Sequence, residues 1–376
     1  MSPKGAKKMG RILLYLDIVT DHRQPAKVKH KIKDIIALVF FADLANAEKW
    51  EDVEVFGKEH EKFLRKYLEL PYGIPSHDTI QRVFAIISPE FLQGFRDKWN
   101  EMLSSNEGTK IKKLLSLDGK TQRGNGNQNQ KANHIVSAVD EKGFCVSEKL
   151  VADKSNEITA IPELLNSLNI KGNIITIDAM GTQKEIAQII RKKRADYVLA
   201  LKRNHGNLYD DVKTFFDDAE FLSHSDYEQT KEKARSGIEK REYWQTENIG
   251  WLDGRKDWAG LKSIAMTRNT IIKNGEETTE TRYFISSLPE DAKEISRAIR
   301  GHWMVESYHW HLDVTFREDE NRTLEKQAAF NRNIIKKLAL NVLKIIDVTK
   351  KNLSMARKRF AIGTNPEKHL ENILSL

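Results

Sequence analysis

The chain has 376 residues, of which 39% are hydrophobic and 31% are charged, and its net charge is +8. This length suits one large domain plus a smaller one, and the best apolar run, residues 35–42, is far too short to span a membrane. The single cysteine, Cys145, excludes an internal disulfide framework and a cysteine-rich zinc site. Because no cleavage site follows the basic start, we expect a cytoplasmic protein.

Positive charge is concentrated at the two ends of the chain. Residues 1–33 carry nine Lys and Arg against two Asp, and residues 326–376 carry eleven against three acidic residues, so the middle is net acidic. Basic ends around an acidic centre suit a protein that binds phosphates at its flanks and cations at its centre. Charge runs are equally common on ordinary solvated surfaces, so this pattern alone only favours nucleic acid.

The first part of the chain has a helical pattern. Apolar residues recur with helical spacing from about residue 31 to residue 103, and Ser76 and Ser88 each precede a new helix. The sequence Ser-Asn-Glu-Gly at 105–108 is typical of a linker. We therefore predict that residues 1–105 form an N-terminal helical domain that binds DNA. The alternative is that this domain is a structural cap on the catalytic core.

After the linker the apolar pattern becomes that of strands. Between about residues 114 and 201 the predicted order is β-β-β-α-β-α-β, which is that of an RNase H-like fold. Strand character returns over about 228–286, with a hairpin at Asn274-Gly275. The predicted fold class is thus α/β, with an RNase H-like catalytic core over 110–376 that contains a strand-rich insertion and follows the helical domain.

Helices return at the end of the chain. One is predicted from Ser287 to at least Val314, and a last one from about 324 to 346. The basic tail that follows is expected to be peripheral. Trp303 and Trp310, within the first of these helices, are expected to be core residues, and the neighbouring histidines fit no familiar zinc spacing.

Three acidic residues are the candidate catalytic and metal-binding groups. Asp118 ends the first predicted strand, Asp178 ends the fourth, and these two strands are neighbours in this topology. Glu306 lies in the late helix. Each acid taken singly is more often structural, as a turn, a helix cap or a surface charge. Together they form a hard, oxygen-rich site suited to two Mg²⁺ or Mn²⁺ ions, which support in-line phosphodiester displacement.

Basic residues close to these acids are candidate DNA contacts. Lys120 and Arg123 follow Asp118, and Lys202 ends the fifth predicted strand. Their positions suit binding of a scissile or flanking phosphate. The alternative is that they are solvated loop charges. Asn156 and Glu157 are further candidates for supporting the site, with helix capping as the alternative.

Several short blocks occur in the order and spacing of one known family. They read PSHDT at 75–79, LDGKTQRG at 117–124, KSNEI at 154–158, IDAMGTQ at 177–183, LALK at 199–202 and HWMVE at 302–306. On these blocks the chain resembles bacterial insertion-sequence DDE transposases, of the group that includes the H-repeat-associated proteins, over almost its whole length. The resemblance implies metal-dependent cleavage and strand transfer at the ends of an insertion sequence.

The same resemblance implies the partners. These are double-stranded DNA, namely the terminal inverted repeats of the element and the target DNA, and a second copy of the chain in a homodimer assembled on DNA. It implies no membrane and a nucleoid location when DNA is bound. It also implies that a tryptophan of the insertion stacks on a displaced base, for which Trp251 is the choice. The alternative is that Trp244, Trp251 and Trp258 all fill the core of a small sheet.

The chain departs from the wider superfamily at two places. Where that superfamily carries Tyr, Arg and Lys around the glutamate, this chain has Ile299, His302 and Asp313. His302 is a feature of the group and is retained as a DNA-contact candidate. The family's Gly-Arg-Ile-Glu is replaced by Ser236-Gly237-Ile238-Glu239, so Arg235 or Arg241 is expected to substitute for the missing arginine.

Two other functions fit the same residues. One is a metal-dependent DNA nuclease of RNase H-like fold that cuts without joining, and a strand-transfer assay separates it from a transposase. The other is a non-catalytic DNA-binding protein derived from a transposase. The presence of Asp118, Asp178 and Glu306 argues against this second alternative.

Overall fold

The computed structural model describes residues 11–104, 113–152, 156–234, 237–349 and 352–374. Helices occupy both ends of this described chain, and the strands lie between them. The predicted linker at 105–108 lies outside the described residues, as do Ser155, Arg235 and Ser236.

The N-terminal helices surround one almost completely buried helix. They are α1 (Arg11–Leu16), α2 (Ile32–Leu44), α3 (Trp50–Glu59), α4 (Glu61–Leu64), α5 (His77–Phe84) and α6 (Pro89–Ser104). Helix α2 is apolar around nearly its whole circumference, so it is covered on all sides. The Ser76 hydroxyl accepts a hydrogen bond from the Thr79 backbone N–H, so α5 begins at the predicted N-cap.

One mixed sheet forms the centre of the molecule. Its strands are β1 (Leu114–Thr121), β2 (His134–Asp140), β3 (Cys145–Leu150), β4 (Ile174–Ile177), β5 (Asp196–Leu201), β6 (Asp226–Ala234), β7 (Gly237–Thr246), β8 (Ser263–Lys273) and β9 (Glu276–Ser286). They are arranged in the order β3-β2-β1-β4-β5-β9-β8-β7-β6. The strands β1, β4 and β5 are parallel, and Leu117 lies opposite Ile177. The first five strands form the predicted RNase H-like core.

The strand-rich insertion extends this sheet. Strand β9 pairs antiparallel with β5, and β8, β7 and β6 follow it outward. Asn274 and Gly275 both have positive φ, 53° and 86°, so the predicted hairpin turn between β8 and β9 is confirmed. The insertion thus contributes its surface directly beside the core strands.

The remaining helices pack on the sheet or on the N-terminal helices. They are α7 (Glu157–Ser167), α8 (Lys184–Lys192), α9 (Asn207–Asp217), α10 (Ala219–Ser223), α11 (Ala292–Val314), α12 (Lys326–Ile345), α13 (Met355–Thr364) and α14 (Pro366–Leu374). Helix α12 is buried between the N-terminal helices and the sheet. Its Asn331 amide donates to the carbonyls of Phe84 and Ile87, and its Asn341 amide donates to Asn100 Oδ1.

Two expectations about burial are wrong. Arg359 in the basic tail is fully buried and donates to the carbonyls of Asp43 and Ala47, because α13 packs against the N-terminal helices. Trp303 and Trp310 are exposed, by 42% and 56%, because α11 packs on the sheet through a different face. Within the described ranges, no helix is long and apolar enough to cross a membrane.

Candidate active site

Asp118 lies within β1, which continues for three residues beyond the predicted strand end. Its carboxylate faces α11, where His309 Nδ1 lies 3.2 Å from Asp118 Oδ2. Burial raises the pKa of Asp118, but the hydrogen bond with His309 lowers it, and the resulting pKa lies below its ordinary value. The carboxylate is therefore ionised. His309 was missed as a site residue, although it lies three residues after Glu306 on the same helix.

Asp178 immediately follows β4, as predicted. Its Oδ1 accepts hydrogen bonds from the backbone N–H groups of Met180 (3.1 Å) and Gly181 (3.2 Å), which orient the side chain. Burial raises its pKa, the hydrogen bond from Gly181 opposes this rise, and the charges of Asp118 and Glu157 add to it. The site thus concentrates negative charge that a bound cation would stabilise.

Glu306 is an exposed residue of α11, and it lines the same cavity as Asp118 and Asp178. This cavity has a volume of about 650 Å³ and lies between α11, the final residues of β4 and β5 and the middle of β9. The structure therefore brings the three predicted acids to one cavity. In the described part of the chain, no three Asp, Glu, His or Cys side chains are close enough to form a metal-binding group as placed. The carboxylate oxygens of Asp118, Asp178 and Glu306 are nevertheless the donors that Mg²⁺ and Mn²⁺ prefer.

His302 also lines this cavity and is tied to the sheet. Its Nδ1 lies 3.0 Å from Thr176 Oγ1, and this hydroxyl donates to Ser116 Oγ across 2.9 Å. Burial lowers the pKa of His302, so the imidazole is neutral at neutral pH. Lys202, at the end of β5, is exposed and lines the cavity beside Arg203 and Arg282. The structure thus places two of the five predicted DNA contacts, His302 and Lys202, at the cavity.

Lys120 and Arg123 have different environments. Lys120 Nζ contacts Asp313 (2.6 Å), Glu318 (3.0 Å) and Asp319 (3.3 Å), and these contacts tie β1 to the end of α11 and to the chain that follows it. Burial alone would lower the pKa of Lys120, but Glu318 and Asp313 raise it above its ordinary value. Arg123 is 84% exposed and lies 3.9 Å from Asp319. Only Arg123 has its charge largely open to solvent.

Trp251 does not line the acid cavity. Its ring stacks on Phe215, with centroids 5.2 Å apart, and its Nε1 donates to the Asn248 carbonyl. The indole is 42% exposed. A turn position correctly predicted a partly exposed ring, but this ring is held against α9, away from the three acids.

A fourth acid lies next to Asp118. Glu157 Oε1 is 2.6 Å from His134 Nε2, and both groups lie over the backbone of Gly119. A Cβ atom added at Gly119 would lie 2.1 Å from Glu157 Oε1, so a larger residue here would displace the Glu157 side chain. Asn156 makes no side-chain capping hydrogen bond to α7, so the capping alternative for this residue is not observed.

The RNase H-like sheet brings Asp118, Asp178 and Glu306 to one cavity. This fold and this site together define a class of proteins that carry three carboxylates at one site. Residues 109–342 match the family described as "Transposase DDE domain", and residues 13–100 match "DDE_Tnp_1-associated". The chain belongs to the DDE transposase family.

Curated relatives match nearly the whole chain. It is 38% identical to the putative transposase YncI of Escherichia coli O157:H7, over 94% of this chain and 92% of that protein. It is 37% identical to the H repeat-associated putative transposase YhhI of Escherichia coli K12, over 95% of this chain and 97% of that protein. A shorter relative of the same strain is named "Inactive transposase YbfQ"; it is 43% identical over 20% of this chain and 90% of its own length.

Proposed function

We propose that the protein is an active DNA transposase that cleaves and joins phosphodiester bonds at the ends of an insertion sequence. The observation that carries this proposal is the single cavity lined by Asp118, Asp178 and Glu306 in a chain of the DDE transposase family. These three carboxylates would hold two Mg²⁺ or Mn²⁺ ions. Such ions activate an attacking oxygen and neutralise a leaving oxygen during in-line displacement.

The chain's own residues orient this site. His309 holds the Asp118 carboxylate against α11, and two backbone N–H groups hold Asp178. Lys202 at the cavity and the exposed Arg123 nearby bind phosphates of the DNA, and His302 contacts the DNA as a neutral group. Lys120 holds β1 in place through its contacts with Asp313, Glu318 and Asp319. Trp251 stacks on an unpaired base farther from the acids.

The partners are DNA and a second copy of the chain. The N-terminal helices bind the terminal inverted repeats, and the catalytic cavity receives the repeat end and then the target DNA. The basic termini support this assignment, because neutralised phosphates release counterions. A homodimer forms on the DNA, and the protein associates with the nucleoid in that state.

The test uses the full-length chain and DNA taken from both flanks of its own gene, where the element ends must lie. The wild-type chain with Mg²⁺ or Mn²⁺ should cleave this DNA at the ends and join it into a supercoiled plasmid. Asp118→Asn, Asp178→Asn and Glu306→Gln should each abolish cleavage while folding and DNA binding are retained. Asp257→Asn is the control, because this exposed acid pairs with Lys184 outside the cavity.

Each of the other outcomes favours a different function for this protein. Cleavage without joining would favour the nuclease alternative. DNA binding without cleavage under either metal would favour the non-catalytic derivative, and one relative is indeed named inactive. Full cleavage by any of the three acid variants would refute the assignment of that residue.

A further inference from the structure

A second cavity adjoins the acid cavity and is lined by arginines. Its volume is about 430 Å³, and, among the described residues, its charged lining consists of Arg241, Arg282, Arg297 and Arg300 together with Glu141 and Glu280. The two cavities share several residues, namely Glu280, Arg282, Ile299 and Trp303. A linear polymer bound in the acid cavity can therefore continue into the arginine-lined cavity.

The arginines are held in place by acids that are themselves exposed. Arg300 Nη2 donates to Glu232 (2.9 Å), Arg297 Nη1 donates to Glu141 (3.1 Å), and Arg282 Nε donates to Glu280 (2.8 Å). The side chains of Arg282 and Arg300 are 40% and 44% exposed, and their partners are at least as exposed. Solvated pairs of this kind contribute little free energy, so a phosphate can replace the carboxylate at small cost.

The floor of the cavity adds fixed polar and aromatic groups. Arg241 is more deeply placed and contacts Glu239 and Glu232, which orient its guanidinium. Asn269 Oδ1 is buried without a hydrogen-bond partner among the described residues. The Arg282 guanidinium lies 5.3 Å from the centre of the Trp303 ring. Guanidinium groups bind phosphate oxygens through two parallel N–H donors, which makes arginine the preferred side chain for such sites.

We propose that this arginine cavity binds the phosphodiester backbone of the DNA strand that extends from the scissile phosphate in the acid cavity. The occupant follows from continuity: a strand cut at the three acids enters the adjoining space, where four cationic side chains line it. This inference rests on the proposed function and adds a DNA-binding site formed by α11 and the insertion strands β7, β8 and β9. In this proposal Arg241 contacts a phosphate of that strand.

The test measures the salt dependence of DNA affinity in metal-free buffer, so it does not depend on cleavage. The probe is a fluorescent duplex of about 30 base pairs of unrelated sequence, titrated between about 50 and 200 mM salt. In Arg282→Gln/Arg300→Gln, the slope of log Kd against log salt should fall by about 2, because each lost phosphate contact removes about 1. Arg282→Lys/Arg300→Lys should retain most of the slope, since the charges remain.

The matched control is Lys149→Gln/Lys184→Gln, which removes two exposed, ion-paired charges that line neither cavity. Its slope should stay at the wild-type value, and all variants should melt like the wild type. An unchanged slope in the Arg→Gln pair, or an equal fall in the control, would overturn this site while leaving the proposed function standing. Failure of the wild-type chain to bind DNA would overturn both.

Discussion

His309 Nδ1 lies 3.2 Å from Asp118 Oδ2, so the helix that carries Glu306 also holds the carboxylate of the first strand. Asp118 and Glu306 are 188 positions apart in the sequence, yet one turn of α11 controls both. A shift of α11 along β1 would therefore move two of the three acids together. This coupling makes α11 the element on which the geometry of the site depends.

Replacing His309 should impair cleavage through Asp118. We expect His309→Ala to lower the single-turnover rate by about tenfold to a hundredfold, the usual cost of losing a residue that orients a metal ligand. Removing the imidazole also removes the contact that lowers the pKa of Asp118, so the acidic limb of the pH–rate profile should move to higher pH. The measurement is the cleavage rate with Mg²⁺ from acidic to neutral pH.

The control for His309 is its neighbour His311, which lies near Thr315 and does not line the acid cavity. His311→Ala should leave the acidic limb unchanged, and His309→Gln, which retains a donor, should recover part of the rate. An equal loss in both alanine variants with no displaced limb would show that His309 only contributes to packing.

A buried ion pair joins the N-terminal helices to the sheet. Arg96 of α6 contacts Glu148 of β3, and Lys337 of α12 lies 3.6 Å from the same carboxylate. Burial raises the pKa of Glu148, but Arg96 and then Lys337 lower it, to about 2 from its ordinary 4.5. Because the folded-state pKa is lowered, the stabilisation is complete above pH 4.5 and is lost as the pH falls toward 2.

The corresponding variant is Glu148→Gln. At neutral pH its free energy of unfolding should fall by about 3 kcal/mol, because Arg96 becomes a buried charge without its main partner. Its stability should also change less than that of the wild type between pH 4.5 and pH 2. Urea unfolding at several pH values measures both effects, with the exposed Glu101→Gln as control. Parallel pH curves for wild type and Glu148→Gln would contradict the assignment.

The N-terminal helices should be required for the rest of the chain to fold. Trp50 Nε1 donates to Thr323 Oγ1, Arg332 pairs with Asp43, and α2 and α12 share one apolar core. A chain that begins at residue 110 would expose this face of α12 to water. We expect it to aggregate or to lack a cooperative melting transition. A soluble fragment with a cooperative melt and DNA binding would show instead that residues 1–105 form a separable domain.

Trp303 and Trp251 form a matched pair for testing the role of exposed indoles. Both are 42% exposed, but Trp303 lines the acid cavity and Trp251 stacks on Phe215. Trp303→Ala should slow cleavage severalfold more than Trp251→Ala does. Trp251→Ala should lower stability by about 1 kcal/mol through loss of the ring pair. Rates of end processing and melting temperatures measure both effects, and a wild-type rate of end processing in Trp251→Ala would remove Trp251 from the proposed DNA contacts.

Much of the fold follows from local patterns. The apolar runs that end at Asp118 and Asp178 identified β1 and β4, and the order of elements identified their pairing. The Asn274-Gly275 turn was recognisable because positive φ favours these two residues. Element bounds differ from the predicted ones, because α11 begins at Ala292 and β1 continues past Asp118.

The chain's sequence by itself determined the main elements and their order, because these depend on periodicity, and it predicted three catalytic acids, two of them close to strand ends. Only the tertiary structure decided which helix faces are covered. It placed His309 against Asp118, surrounded Lys120 with acids, buried Arg359 and left Trp303 exposed beside four arginines. Helical spacing shows which residues share a face, whereas the partner of that face depends on packing between segments far apart in the chain.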